Sequence, residues 1–157
     1  MRVQLDETGH VMSPIDGRSV VAPEKQAEWS LPVISGIDLN KLKTLAPGRP
    51  AGLPKLQAAL GLIGEFRRSA LAGVVDLRVI DLSQPRILRV TTGDGGQVDL
   101  STGRLARQLN RWARIRSHGQ KFGLAIETVD LSVTNNVPVR WMLSPTVAGE
   151  LNSGHNL

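Results

Sequence analysis

The end of the sequence carries the clearest strand pattern. Two apolar, β-branched runs stand on either side of the sequence TNN at residues 134–136. Asparagine tolerates a positive φ better than other non-glycine residues, so this tripeptide predicts a tight turn. The pattern therefore predicts a terminal β-hairpin over residues 125–143. A last strand often lies at a sheet edge, where unpaired N–H and C=O groups can pair with another chain, and we expect this edge to take part in the function.

Two other segments repeat apolar residues at helical spacing. Residues 53–71 carry Leu56, Leu60 and Ile63 on one stripe, and Pro54 suits the first turn of such a helix. The sequence therefore predicts a first helix over these residues.

A second helix is predicted from about residue 103 to residue 117, with Leu105, Leu109 and Trp112 on its apolar stripe. Ser101 or Thr102 is expected to cap its start, because a hydroxyl can accept a hydrogen bond from the first turn. Gly119 is expected to end it in the left-handed conformation.

Shorter alternating runs predict six further strands, at residues 3–5, 11–12, 31–34, 74–82, 86–92 and 97–100. Short turns between consecutive strands imply largely antiparallel pairing, with both helices on one face of the sheet. The fold class is therefore α+β. Residues 13–29 and 36–52, which carry several Pro and Gly, are expected to be irregular. Residues 1–143 are expected to form one domain, followed by a flexible C-terminal tail at residues 144–157.

The net charge of +5 comes mostly from fourteen arginines. Such a balance favours nucleic acid, anionic lipid or acidic protein as partners. Four arginines lie on the second helix with Trp112 among them: Arg104, Arg107, Arg111 and Arg114. The alternative function is therefore a nucleic-acid-binding module that uses this helix. Because Trp112 falls on the apolar stripe, a core tryptophan beneath a solvated basic surface is the favoured interpretation.

No pattern of catalytic or metal-binding residues emerges from the sequence. The chain has no cysteine, and its three histidines, His10, His118 and His155, are not at metal spacing with one another. The glycine-rich residues 93–96 lack the Lys-Ser/Thr of a phosphate loop and precede a strand, so they predict a hairpin turn. We expect a protein that is not an enzyme and has no cofactor, metal or small-molecule ligand. No apolar run is long enough to span a membrane.

Four stretches, in order, resemble the extracytoplasmic β domain of the bacterial FtsQ/DivIB cell-division family. The sequence LDETGHVM at residues 5–12 is similar to the hairpin that opens that domain, and LPVISG at 31–36 to its next strand. QVDL at 97–100 with RQLNRW at 107–112 resembles a strand and helix of the family. VDLSVTNNVPVRW at 129–141 resembles its closing hairpin, with Asn136 in place of the family's turn glycine.

The resemblance implies a non-enzymatic scaffold that binds FtsB- and FtsL-like division proteins, the former by adding a strand to the edge near the domain's end. The implied partner-binding residues are Val133, Asn135, Asn136, Val139 and Trp141, with Arg86 as a weaker candidate for an acidic segment. Trp141 suits either a core position or an exposed interface anchor. The resemblance also implies a single-pass inner-membrane protein with this domain on the periplasmic side. The chain is then expected to be a fragment that lacks the transmembrane helix and POTRA domain.

Overall fold

The computed structural model describes residues 5–6, 8–11, 31–38, 40–41, 48 and 53–144 of the 157-residue chain. The predicted irregular residues 13–29, most of 36–52 and the tail after Ser144 lie outside the described residues. The elements that build the sheet and its covering layer, in chain order, are β1 (Val33–Ser35), α1 (Pro54–Arg68), β2 (Leu77–Asp81), β3 (Ile87–Thr92), β4 (Gln97–Ser101), α2 (Leu105–Gln120), β5 (Leu124–Asp130) and β6 (Val139–Leu143).

The six strands form one sheet whose spatial order follows the chain, from β1 to β6. The pairs β2–β3, β3–β4 and β5–β6 are antiparallel, as their direct connections require. The pairs β1–β2 and β4–β5 are parallel, because the chain crosses over through α1 and α2 between them. The predicted α+β class is confirmed. The sheet is mixed and not purely antiparallel. The strands that precede and follow each helix lie side by side in it, and a helical crossover between neighbouring strands makes them parallel.

Both helices cover the same face of the sheet. The core joins one stripe of each helix to alternate residues of the strands, and it includes Leu62, Leu88, Leu100 and Trp112, each at most 2% exposed. The rings of Trp112 on α2 and Phe66 on α1 lie 6.0 Å apart, which ties the two helices together. The interpretation of Trp112 as a core residue is confirmed.

The start of the chain contributes a small second cluster. Leu5 and Val11 form an antiparallel bridge, consistent with the predicted opening hairpin. Val11 is buried with Leu56 of α1, so this hairpin packs beside the first helix.

The start of α2 differs from its prediction. Arg104 precedes the helix with a φ of 55°, and no side chain caps the first turn, so the predicted cap at Ser101 or Thr102 is wrong. The buried side chain of Gln108 binds this connection instead. Its amide oxygen accepts from the N–H of Ser101 at 2.8 Å, and its amide nitrogen donates to the carbonyl of Gly103 at 2.6 Å. These bonds tie the connection between β4 and α2 to the first turns of α2.

Candidate protein-interaction edge

β6 lies at one end of the sheet and pairs with β5 alone among the described strands. It has five residues, whereas β1 at the opposite end has three, so β6 is the longer edge strand. The prediction that the terminal hairpin lies at the sheet edge is confirmed.

Two hydrogen bonds fix which β6 groups face inward. The N–H of Asp130 donates to the carbonyl of Pro138 at 3.2 Å, and the N–H of Ser144 donates to the carbonyl of Gly123 at 3.0 Å. In an antiparallel ladder, the N–H and C=O of one residue point to the same side, and successive residues alternate. Residues 138, 140, 142 and 144 therefore direct their backbone groups towards β5.

The backbone N–H and C=O of Val139, Trp141 and Leu143 consequently point away from the sheet. Pro138 lacks an N–H, but its missing donor falls on the β5 side. The outer rim of β6 thus keeps its full set of donors at residues 139, 141 and 143. We call these three residues the free rim.

The side chain of Trp141 packs against α2. Trp141 lies opposite the buried Ile126 and is itself half-buried against the core. A Cβ placed on Gly119 would meet the Trp141 ring at Cζ3 and Cη2. Gly119 is buried within the helix, and the left-handed glycine is Gly123, with a φ of 68°. The prediction that Gly119 ends the helix is therefore wrong. Glycine is needed here for a different reason: its lack of a side chain makes room for the indole of Trp141.

The connection between β5 and β6 is longer than predicted. Eight residues, 131–138, replace the tight turn, because the Leu131 N–H continues to bond to the Asp99 carbonyl of β4 and Val137 packs against the core. Asn136 has a φ of 51°, so the expectation that it tolerates a positive φ is confirmed. This segment, residues 131–138, is called the rim loop below.

The structure divides the predicted partner-binding residues among three places. Val139 and Trp141 lie on the free rim, whereas Val133, Asn135 and Asn136 are exposed in the rim loop. Arg86 is exposed between β2 and β3 with a φ of 60°. It precedes β3, and three strand spacings, roughly 14 Å, separate β3 from β6. A strand added at the rim would therefore not reach Arg86 by itself.

Apolar side chains at the far end of β6 were missed by the sequence analysis. Leu143 is 56% exposed, and Phe122, just after α2, is 67% exposed. Phe122 stacks edge-on against His118, with ring centroids 5.3 Å apart. Leu143 pairs with Leu124, two residues after Phe122, so both exposed side chains flank the start of β5. Only the sheet register reveals this, because the two residues are 21 positions apart.

The face of the sheet away from the helices carries paired charges. Arg89 on β3 donates to both carboxylate oxygens of Asp99 on β4, at 2.9 and 3.1 Å. The hydrogen bond that Arg89 donates to Asp99 raises the pKa of Arg89, so the guanidinium stays charged. Arg140 of β6 lies on this face opposite Thr128 and is exposed. No ion pair involves it among the described residues. An exposed cation therefore flanks the free rim, beside a depression that Asp99 and Asp130 also line.

The arginine-rich helix does not form a uniform basic face. Trp112, the aromatic that would stack on a base, is 2% exposed. Arg111 donates to two carbonyls of the rim loop, and Arg116 donates to the carbonyl of Val74. The other three predicted arginines, Arg104, Arg107 and Arg114, remain exposed, but α2 offers no exposed Trp, Tyr or Phe beside them to stack on a base.

No group of three His, Asp or Glu residues within the described part of the chain could hold a metal ion. The described helices also include none that is long and apolar enough to cross a membrane.

Together these features define an α+β domain with an unpaired edge strand, flanked by exposed apolar side chains and a cation. A family model described as "Cell division protein FtsQ/DivIB, C-terminal" matches residues 2–132, which is most of the chain. The chain belongs to the FtsQ/DivIB family of membrane-anchored, non-enzymatic division scaffolds, and the resemblance found in the sequence is confirmed. A search of curated proteins gives no match. The matched residues end before Val133 and β6.

Proposed function

We propose that this domain acts in the cell-division machinery by accepting a strand of a membrane-anchored partner, FtsB-like or FtsL-like, along the free rim. The observation that carries the proposal is the outward direction of the backbone groups of Val139, Trp141 and Leu143. Main-chain hydrogen bonds to such a rim supply affinity, and alternate side chains supply specificity. Membership of a scaffold family supports a role in binding partners.

The side chains beside the rim favour a partner strand with two different faces. Val139, Trp141 and Leu143 direct their side chains to the helix-covered face, while Arg140 lies on the open face. A visiting strand would place apolar residues near Leu143 and an acidic residue near Arg140. The rim-loop residues Val133, Asn135 and Asn136 and the more distant Arg86 would meet chain that continues beyond the added strand.

The proposal extends to the place of the domain in the cell. We propose a single-pass inner-membrane protein whose transmembrane helix and POTRA domain precede this chain, with the domain on the periplasmic side. The partners, also membrane-anchored, would then meet it at the same membrane surface.

Titration of the domain with the extracytoplasmic segments of FtsB-like and FtsL-like proteins tests the proposal. We expect saturable binding of an FtsB-like segment by calorimetry, and no binding of a segment of the same composition in scrambled order. A DNA or RNA oligonucleotide at low salt serves as the competing ligand. Oligonucleotide binding that weakens steeply with salt, without any binding of the division segments, would contradict the proposal and favour the basic helix.

A further inference from the structure

Arg111 of α2 binds the rim loop across a long stretch of sequence. Its Nη1 donates to the carbonyl of Val133 at 3.0 Å, and its Nη2 donates to the carbonyl of Thr134 at 3.1 Å. A guanidinium presents its donors in a rigid planar fork, so one side chain can hold two successive carbonyls in a fixed geometry.

The ends of the rim loop have other anchors. At its start, Leu131 is buried, and the N–H of Ser132 donates to the carboxylate of Asp130 at 3.0 Å. At its end, Val137 packs against the core and the carbonyl of Pro138 accepts from Asp130.

The middle of the loop depends on Arg111. Residues 133–136 are all exposed. Within residues 53–144, the two bonds from Arg111 are the only hydrogen bonds that the structure gives these four residues. Loss of the guanidinium would therefore leave four consecutive residues without a fixed position, immediately before the free rim.

A second contact joins the same helix to β6 itself. Gly119 receives the ring of Trp141 and lies eight residues after Arg111, about 12 Å along the helix. One contact therefore fixes the chain that enters β6, and the other fixes the middle of β6.

We infer that Arg111 is a positioning residue for strand addition, which holds the rim loop so that β6 meets its partner already ordered. The inference rests on the proposed function. Binding to a preordered segment avoids the entropy cost of fixing it during association. Arg111 does this through the loop carbonyls and does not itself need to touch the partner.

The test compares Arg111→Ala with Arg107→Ala, which removes the same charge from an exposed position of the same helix. In the free protein, the backbone N–H order parameters of residues 133–136, measured by NMR relaxation, are expected to fall in Arg111→Ala and to stay unchanged in Arg107→Ala. Affinity for the FtsB-like segment is expected to fall about three- to tenfold in Arg111→Ala and less than twofold in Arg107→Ala. Arg111→Lys, which keeps the charge without the planar fork, is expected to lie between them.

Each contrary result has a distinct meaning. Equal loss of affinity in the two alanine variants would overturn the inference, because charge alone would then explain the effect. Unchanged order parameters in Arg111→Ala, or lower order parameters with unchanged affinity, would overturn it as well. Absence of segment binding by the unaltered protein would instead overturn the proposed function, while the order-parameter comparison would still decide whether Arg111 orders the loop.

Discussion

Replacing Gly119 with alanine is expected to lower the free energy of unfolding by about 1–3 kcal/mol, the usual cost of overpacking a filled site. Alanine is the better helix former by up to ~1 kcal/mol, so propensity alone predicts the opposite sign. The added Cβ would lie 2.9 Å from Trp141 Cη2 and 3.0 Å from the backbone carbonyl oxygen of Leu124. The indole and the start of β5 would both have to move, and these are parts of the hairpin that forms the rim.

The two glycines of α1 provide matched controls. A Cβ on Gly61 would have its nearest neighbour at 4.0 Å, and one on Gly64 at 3.8 Å. Gly61→Ala and Gly64→Ala are therefore expected to raise the free energy of unfolding by up to ~1 kcal/mol each. Urea denaturation of the three variants measures the difference. A Gly119→Ala variant as stable as these controls would show that the indole does not occupy the space beside the helix.

Replacing Leu143 with proline is expected to reduce affinity for a partner strand about tenfold or more. Proline removes the outward N–H of residue 143 and places a ring against the visiting backbone. A lost hydrogen bond of about 0.5–1.5 kcal/mol, added to that steric conflict, accounts for a tenfold change, which corresponds to about 1.4 kcal/mol. The N–H of Leu143 makes no bond to β5 in the ladder, so the β5–β6 pairing is expected to survive.

Leu143→Thr separates the backbone effect from the side-chain effect. Threonine removes the exposed apolar group but keeps the N–H and favours a strand. We expect Leu143→Thr to bind several-fold more tightly than Leu143→Pro, with both variants folded by circular dichroism. Equal affinity in the two variants would contradict main-chain pairing at this residue. Charged substitutions at Val139 or Trp141 are less informative, because both side chains pack against the core and their replacement would also disturb the fold.

Local pattern was sufficient to predict the helices, the hairpins and the edge position of β6. Leu56, Leu109 and Trp112 lie buried where helical spacing places them, and β6 follows the strand run at the end of the chain. The predicted stripe of α1 is turned slightly, because Leu60 and Ile63 are only half-buried and Ala59 and Leu62 take the core positions. These features depend on residues close together in sequence. Their physical causes, burial of one stripe and short connections, act over a few residues.

Features that depend on distant residues were not predictable in the same way. The space beside Gly119 is explained only by Trp141, 22 residues later, and the role of Arg111 only by carbonyls 22 and 23 residues away. The rim loop is long because Leu131 remains paired to β4, which the TNN turn pattern does not reveal. From the sequence alone, Gly119 was therefore interpreted as the end of the helix, and Arg111 as a solvated surface charge.

Amide hydrogen exchange of the domain with and without a saturating FtsB-like segment shows whether a partner strand pairs with the free rim. We expect slower exchange at Val139, Trp141 and Leu143 on binding, with little change at Arg140 and Met142, whose N–H groups already face β5. This alternation is specific to a strand added along the outer side of β6. New protection confined to α2 or to β1, with none at residues 139, 141 and 143, would contradict it.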